Sequence, residues 1–263
     1  MVKNIEFKLK DINDPFAQGF CSFFMQNFAI FHNLDLQDYC GKGDLVRGEK
    51  IVISDHQKCD IGLMNVDTDT VPPEAKIVFC NAKENYGPNE FYFPYLQNAR
   101  NEALSMDFFE KNARYEKRYN CVAIFNSHTN QIRSDIMSEI QNVCDIVIVN
   151  GVNIKTQRQE FDGISDQWEI MKSSKFCLCP PGHVDETYRF YEALRCHCIP
   201  LEFNRKCHRL SNFSEKYIIS EGSLNRISEL EYSKEELSSV QNNIDREVLL
   251  GYLVEKISSY NIG

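Results

Sequence analysis

Apolar residues in this chain come in short runs between polar loops, and their periods sort them into strands and helices. Ile5 to Leu9 alternates and reads as a first strand, followed by a turn over Asp11 to Pro15 that is rich in capping residues. Phe16 to Phe31 sets Phe20, Phe23, Phe24, Phe28 and Phe31 at helical spacing, which predicts a buried helix with an aromatic stripe facing the core. Leu34 to Gly48 is polar and reads as loop. Strand patterns recur at Lys50 to Ser54, Cys59 to Val66 and Lys76 to Cys80. Phe91 to Tyr95 is extended, and Pro94 confines it to an edge or a strand end. Gln97 to Arg114 is helical in pattern. Strand, loop and helix thus alternate, the mark of an α/β half.

A second half starts near Tyr119. Cys121 to Phe125 is a strand, Asn126 to Gln131 a polar loop, and Ile132 to Val143 a helix with Ile132, Ile136, Ile140 and Val143 on one side. Asp145 to Val149 is a strand that ends at Asn150 and Gly151. Asp166 to Ser173 predicts a short helix with Trp168 and Met171 inward. The stretch from Lys175 to Glu202 then reads as strand, loop, helix, strand. Phe176 to Cys179 is stopped by Pro180 and Pro181, and Gly182 frees the backbone for a tight turn. The next helix begins near Asp185 to Thr187, where Asp, Glu and Thr can cap free N–H groups. It sets Tyr188, Tyr191 and Leu194 at helical spacing, with Arg189 and Glu192 on a neighbouring face. Ile199 to Phe203 returns as a strand, completing a βαβ unit. Tyr217 to Ser220 is a last short strand, and Ser233 to Ile257 a long helix.

At 263 residues the chain can form one large domain or two small ones. The net charge of −9, with no run of Lys or Arg, argues against a nucleic-acid partner and against an acidic polysaccharide. Eleven cysteines are scattered without paired zinc spacing. They read as small buried hydrophobes in a reducing compartment, with a disulfide or metal site as the alternative. No run approaches the ~18 apolar residues of a membrane span, and residues 1–11 lack the apolar core of a secretory signal. A cytoplasmic location without a membrane span is therefore expected.

The βαβ unit suits a phosphorylated ligand. A Gly-containing loop feeding a helix N-terminus gathers backbone donors and the positive end of the helix dipole. Arg189, one turn in, can reach a phosphate oxygen, and Glu192 can accept hydrogen bonds from a ribose diol. His183 in the loop can touch phosphate or sugar, or simply face solvent. The bland alternative is a crossover whose charges face water. Cys177 has no base paired with it and reads as packing on a buried strand.

This stretch resembles the signature of the exostosin family of glycosyltransferases, which runs Phe-Cys-Leu-Cys-Pro-x-Gly, then Ser-x-Arg-x-x-Glu-Ala, then Gly-Cys-Ile/Val-Pro. Phe176, Cys177, Leu178, Cys179, Pro180 and Gly182 match, as do Arg189, Glu192, Ala193, Cys198, Ile199 and Pro200. Thr187 stands where Ser is usual and keeps the hydroxyl. His197 stands where Gly is common, so no positive φ is expected there. Residues 119–203 carry the resemblance.

The resemblance implies an α/β GT-B glycosyltransferase with two Rossmann-like halves and a donor/acceptor cleft between them. Residues 1–115 would be the acceptor side, 116–232 the nucleotide-sugar side, and 233–263 a C-terminal helix packing back toward the first domain. An Arg–Ser pair at a helix start in relatives matches Arg133 and Ser134. The implied nucleotide-sugar site is Arg133, Gly182, His183, Glu186, Thr187, Tyr188, Arg189 and Glu192. The catalytic base would come from the first half, with Asp55 and Glu84 the residues chosen and His56 and Asp14 further candidates. The implied activity is hexosyl or pentosyl transfer with inversion, from a UDP-sugar (xylose the first choice) to a hydroxyl of a glycan or glycoprotein. No metal or other cofactor is expected, because Arg and helix dipoles balance the diphosphate in GT-B enzymes. Asp67-Thr68-Asp69 keeps a metal alternative open, since such a motif holds Mn²⁺ in the GT-A class. A second reading is a glycan- or nucleotide-binding protein of the same fold without turnover; the intact Arg189 and Glu192 speak against it. The chain looks like the short soluble exostosin-like proteins of bacteria and large DNA viruses rather than the Golgi-anchored relatives.

Overall fold

Continuous apolar runs make parallel sheets, because helices cover both faces and leave no position along a central strand for water. A computed structural model describes residues 4–8, 20, 50–54, 58–64, 74–80, 86–93, 115–159, 164–182, 187–204, 214–243 and 246–260. The chain divides into one unit of residues 1–107 and 246–263 and a second of residues 108–245. Each holds a largely parallel sheet.

The first unit has five parallel strands side by side in chain order: β1 (Asn4–Lys8), β2 (Lys50–Ser54), β3 (Ile61–Met64), β4 (Ile77–Cys80) and β5 (Glu90–Tyr92). Every residue of β3 and β4 is buried, whereas β5, at the edge, is half-buried throughout. Phe20 is helical and fully buried, with its ring 5.2 Å from Phe79 and 4.8 Å from Phe93. The helices read over residues 16–31 and 97–114 otherwise lie outside the described residues.

The second unit opens with β6 (Tyr119–Phe125), a single turn of 3-10 helix at Ser127–Thr129, then α1 (Gln131–Asp135) and α2 (Met137–Val143). The helix expected over Ile132 to Val143 is thus two, separated at Ile136, whose ψ of −4° leaves the α-helical range. β7 (Ile146–Val149) turns back as β8 (Val152–Asn153) and β9 (Arg158–Gln159). This hairpin was not anticipated, although Asn150 and Gly151 announce it. Both have positive φ, 51° and 82°, as a two-residue type I′ turn requires. α3 (Ile164–Lys172) buries Met171 and half-buries Trp168. β10 (Ser174–Cys179), α4 (Tyr188–Arg195), β11 (Ile199–Phe203), β12 (Ile218–Ile219) and α5 (Lys234–Asn243) complete the unit.

The seven strands lie in the order β12-β11-β10-β6-β7-β8-β9, parallel from β12 to β7. The eight described cysteines are all buried and none is in a disulfide. Cys177, Cys179, Cys196 and Cys198 pack together with Val122, Ile124 and Met171 behind α4.

The long helix expected over Ser233 to Ile257 is two helices that belong to different units. α5 stays with the second, where Gln241 donates to the Leu194 carbonyl at 2.6 Å. α6 (Arg246–Ser259) belongs to the first. It buries Leu253 and Ile257, sets the Tyr252 ring 6.5 Å from Phe79 and the Tyr260 ring 5.8 Å from Phe91, and is followed by a Tyr260 hydroxyl that donates to the Pro88 carbonyl. Burying each of those aliphatic side chains is worth about 1.5–3 kcal/mol. Among the described residues no helix is long and apolar enough to cross a membrane.

Candidate functional site

The second sheet reverses direction between β6 and β10. From β6 the chain moves outward to β7, and from β10 it moves the other way to β11. Open α/β sheets bind ligands at such a switch point, outside the carboxyl ends of the strands. Here those ends are Asn126, after β6, and Pro180-Pro181-Gly182, after β10.

Arg133 joins the two ends. Its Nε donates to the Pro181 carbonyl at 2.7 Å and its Nη2 to the Pro180 carbonyl at 3.0 Å. Nη1 donates to the Asn126 carbonyl at 3.1 Å and to Thr129 Oγ1 at 2.6 Å. The residue is 8% exposed, and its guanidinium lies 5.5 Å from the Phe125 ring centroid. Burial, and then the neighbouring charge of Arg189, push its pKa down to about 10, so it stays cationic near neutrality. One turn earlier, Asn130 caps α1 by accepting from the Ile132 N–H, while its Nδ2 donates to the Gly182 carbonyl at 2.8 Å.

Thr187 is the N-cap of α4, with an extended φ of −118° and ψ of 144°. Its carbonyl closes the first turn with the Phe190 N–H. Its hydroxyl does not cap. It is buried and has no hydrogen-bond partner among the described residues. A buried hydroxyl left unpaired is costly, and marks a place where a ligand or water would be held.

Arg189 and Glu192 follow on α4. Arg189 Nη1 lies 2.6 Å from Glu192 Oε2, close enough for an ion pair but off the line of a hydrogen bond, so that oxygen has no hydrogen-bond donor. Arg189 Nη2 donates to Gln167 Oε1 at 3.1 Å, from α3, and the guanidinium lies 5.7 Å from the Tyr188 ring. Burial is the largest single influence and acts to lower the Arg189 pKa, but Glu192, with Tyr188, Cys177 and Cys179 adding to it, together raise the value. The two side chains thus face each other as an ion pair, with Gln167 holding the second arm of Arg189.

At its other end α4 stops with a Schellman closure. The His197 N–H reaches the Leu194 carbonyl at 3.0 Å and the Cys198 N–H the Ala193 carbonyl at 2.9 Å. The expectation that His197 needs no positive φ is overturned: its φ is +53°. The chain must leave α4 and enter β11 within three residues, and only a left-handed residue at this position lets both hydrogen bonds form. The Tyr232 hydroxyl, donating to the His197 carbonyl, helps hold it there.

Of the residues named from sequence, Arg133, Gly182, Thr187, Tyr188, Arg189 and Glu192 all fall around the loop and helix that follow β10. His183 and Glu186 lie outside the described residues, as do Asp55, Glu84, His56, Asp14, Asp67 and Asp69. Among the described residues no group of three or more His, Cys, Asp or Glu side chains is arranged to hold a metal ion. Sequence reasoning missed Asn130 and Gln167. Asn130 was visible as a cap ahead of a helical run; nothing in the sequence marks Gln167. Cys177 is fully buried on β10, as packing requires.

The family model of the Exostosin GT47 domain matches residues 59–213, more than half of the chain, and spans β3 to β11. No curated protein matches the chain.

Proposed function

The chain belongs to the exostosin family of glycosyltransferases, whose GT47 domains are of the GT-B type, and on that premise we propose that it transfers a sugar from a UDP-sugar to a glycan hydroxyl with inversion. The observation that carries this reading is the buried, unpaired Thr187 hydroxyl, two residues ahead of the Arg189–Glu192 pair, at the start of α4.

The chemistry follows from these groups. As the glycosidic bond to the donor breaks, negative charge gathers on the departing diphosphate. The α4 N-terminus offers backbone N–H groups and the positive end of its dipole. Thr187 adds a hydroxyl donor, and Arg189 a planar fork that spans two phosphate oxygens. Glu192 accepts from the ribose hydroxyls. In the donor-free protein Arg189 and Glu192 neutralise each other. A bound donor takes over both roles, phosphate against Arg189 and ribose against Glu192, so neither charge is stranded. The acceptor hydroxyl loses its proton to a carboxylate of the first unit, for which Asp55 and Glu84 remain our choices. Xylose is our first choice for the sugar, a glycoprotein glycan for the acceptor, and no metal is required.

The test is a panel of UDP-sugars incubated with the purified protein while free UDP is measured. Slow hydrolysis of one donor, faster with an acceptor, supports an enzyme. Donor binding with no release under any acceptor makes the protein a binding module of the same fold.

A further inference from the structure

Arg133, one of the residues expected at the nucleotide sugar, has its side chain turned to another task. A guanidinium carries five N–H donors, and four of those of Arg133 are engaged by protein oxygens. Three of the four acceptors are backbone carbonyls, one after β6 and two after β10. Asn130, three residues earlier and so on the same face of the helix start, takes the next carbonyl, that of Gly182. Two side chains thereby hold the carbonyls of three consecutive residues, Pro180, Pro181 and Gly182.

That arrangement has a directional result. In a planar trans peptide the C=O and the following N–H point opposite ways. Pinning the Pro181 carbonyl against Arg133 therefore aims the Gly182 N–H away from it. Pro180 and Pro181 have no N–H, so this is the first backbone donor after β10. It has no partner among the described residues. The charge of Arg133 still adds to the local field, but its fork is occupied.

We infer that Arg133 and Asn130 are positioning residues, which bolt the Pro180–Gly182 loop across the switch point so that the Gly182 N–H is presented to the donor diphosphate. The inference rests on the donor-site reading above for what the loop presents, and on the geometry alone for the bolt. Asn130 is the discriminating residue: it is neutral, and its Nδ2 touches the loop.

The backbone order parameter of the Gly182 amide is measured by NMR relaxation on the ligand-free protein, and UDP affinity by calorimetry, for the parent, Asn130→Ala, Arg133→Lys and the double variant. Losing one or two hydrogen bonds to the loop should lower the Gly182 order parameter and weaken UDP binding by about three- to tenfold in each single variant. Lysine should not rescue, because it keeps the charge and loses the fork. The double variant should fall short of the product of the two effects, since both act through one loop. Should Arg133→Lys fail to fold, Asn130→Ala alone still decides. Parental order and affinity in Asn130→Ala, or parental affinity in Arg133→Lys, overturns the inference and returns Arg133 to the phosphates as a point charge. A parent that binds no UDP, but whose variants loosen Gly182, keeps the bolt and overturns the donor reading.

Discussion

Glu192→Ala strands a buried charge as well as removing a ligand contact, and the two effects can be separated. Arg189 and Glu192 stand 2.6 Å apart with side chains 11% and 5% exposed. Removing one member of a pair this deep typically costs about 3–5 kcal/mol, because the other charge stays behind without compensation. Arg189 would keep its hydrogen bond to Gln167, which sets the expectation at the low end, ~3 kcal/mol. At about 2–4 °C per kcal/mol for a unit of this size, melting should fall by roughly 6–12 °C. Donor affinity should fall independently, by ~1.5–3 kcal/mol or roughly ten- to hundredfold, for the lost hydrogen bonds to a carboxylate. Arg189→Met combined with Glu192→Leu separates the two. Replacing both partners by apolar side chains strands nothing and is often neutral or stabilising, so the double variant should melt near the parent yet bind UDP poorly. Scanning calorimetry reads the first quantity and titration calorimetry the second. If Glu192→Ala melts with the parent, the pair contributes nothing to the core and the burial reasoning fails. If it binds UDP as the parent does, Glu192 does not hold the ribose.

Arg189→Lys should fold, bind UDP within roughly tenfold of the parent, and turn over about 10²–10³ more slowly, since a point charge replaces a preorganised fork; near-parental turnover would make Arg189 a structural partner of Glu192. Transfer should survive EDTA, and Asp67→Asn with Asp69→Asn should leave it close to parental. Loss on chelation with rescue by Mn²⁺ would restore the metal reading. His197→Gly should be at least as stable as the parent in urea, whereas His197→Val should lose about 1–2 kcal/mol for a side chain ill suited to a left-handed position. A valine variant with the parental midpoint would mean that the Schellman closure stores no strain.

Local physics made much of the second unit readable. Phe176 to Cys179 is an apolar run with a proline stop, and nothing distant was needed to see a buried strand there. The helix after Thr187 was equally plain, because apolar and charged residues alternate at its period. What the sequence hid were directions. Arg133 announces a cation, but whether its fork faces a ligand or carbonyls 47 residues away is decided by tertiary packing. Thr187 has the chemistry of a cap, yet its hydroxyl does not cap. His197 adopts a conformation that composition alone assigns to glycine. The division between α5 and α6 was invisible for a related reason. Gln241 fastens α5 to the end of α4 through one long-range hydrogen bond, while the apolar residues of α6 serve another core.

The first unit is made of two separated pieces of chain, residues 1–107 and 246–263, with the whole second unit between them. During vectorial synthesis the strands of the first sheet therefore emerge long before the helix that shields Phe79 and Phe91. The second unit is contiguous and can close as soon as it has left the ribosome, whereas the first must keep a partly open apolar face in the meantime. Such a face invites aggregation or chaperone capture. Deleting residues 246–263 should thus spare the folding of the second unit and strip the first of its cover, so that solubility of the first depends on a segment made only after the whole second unit.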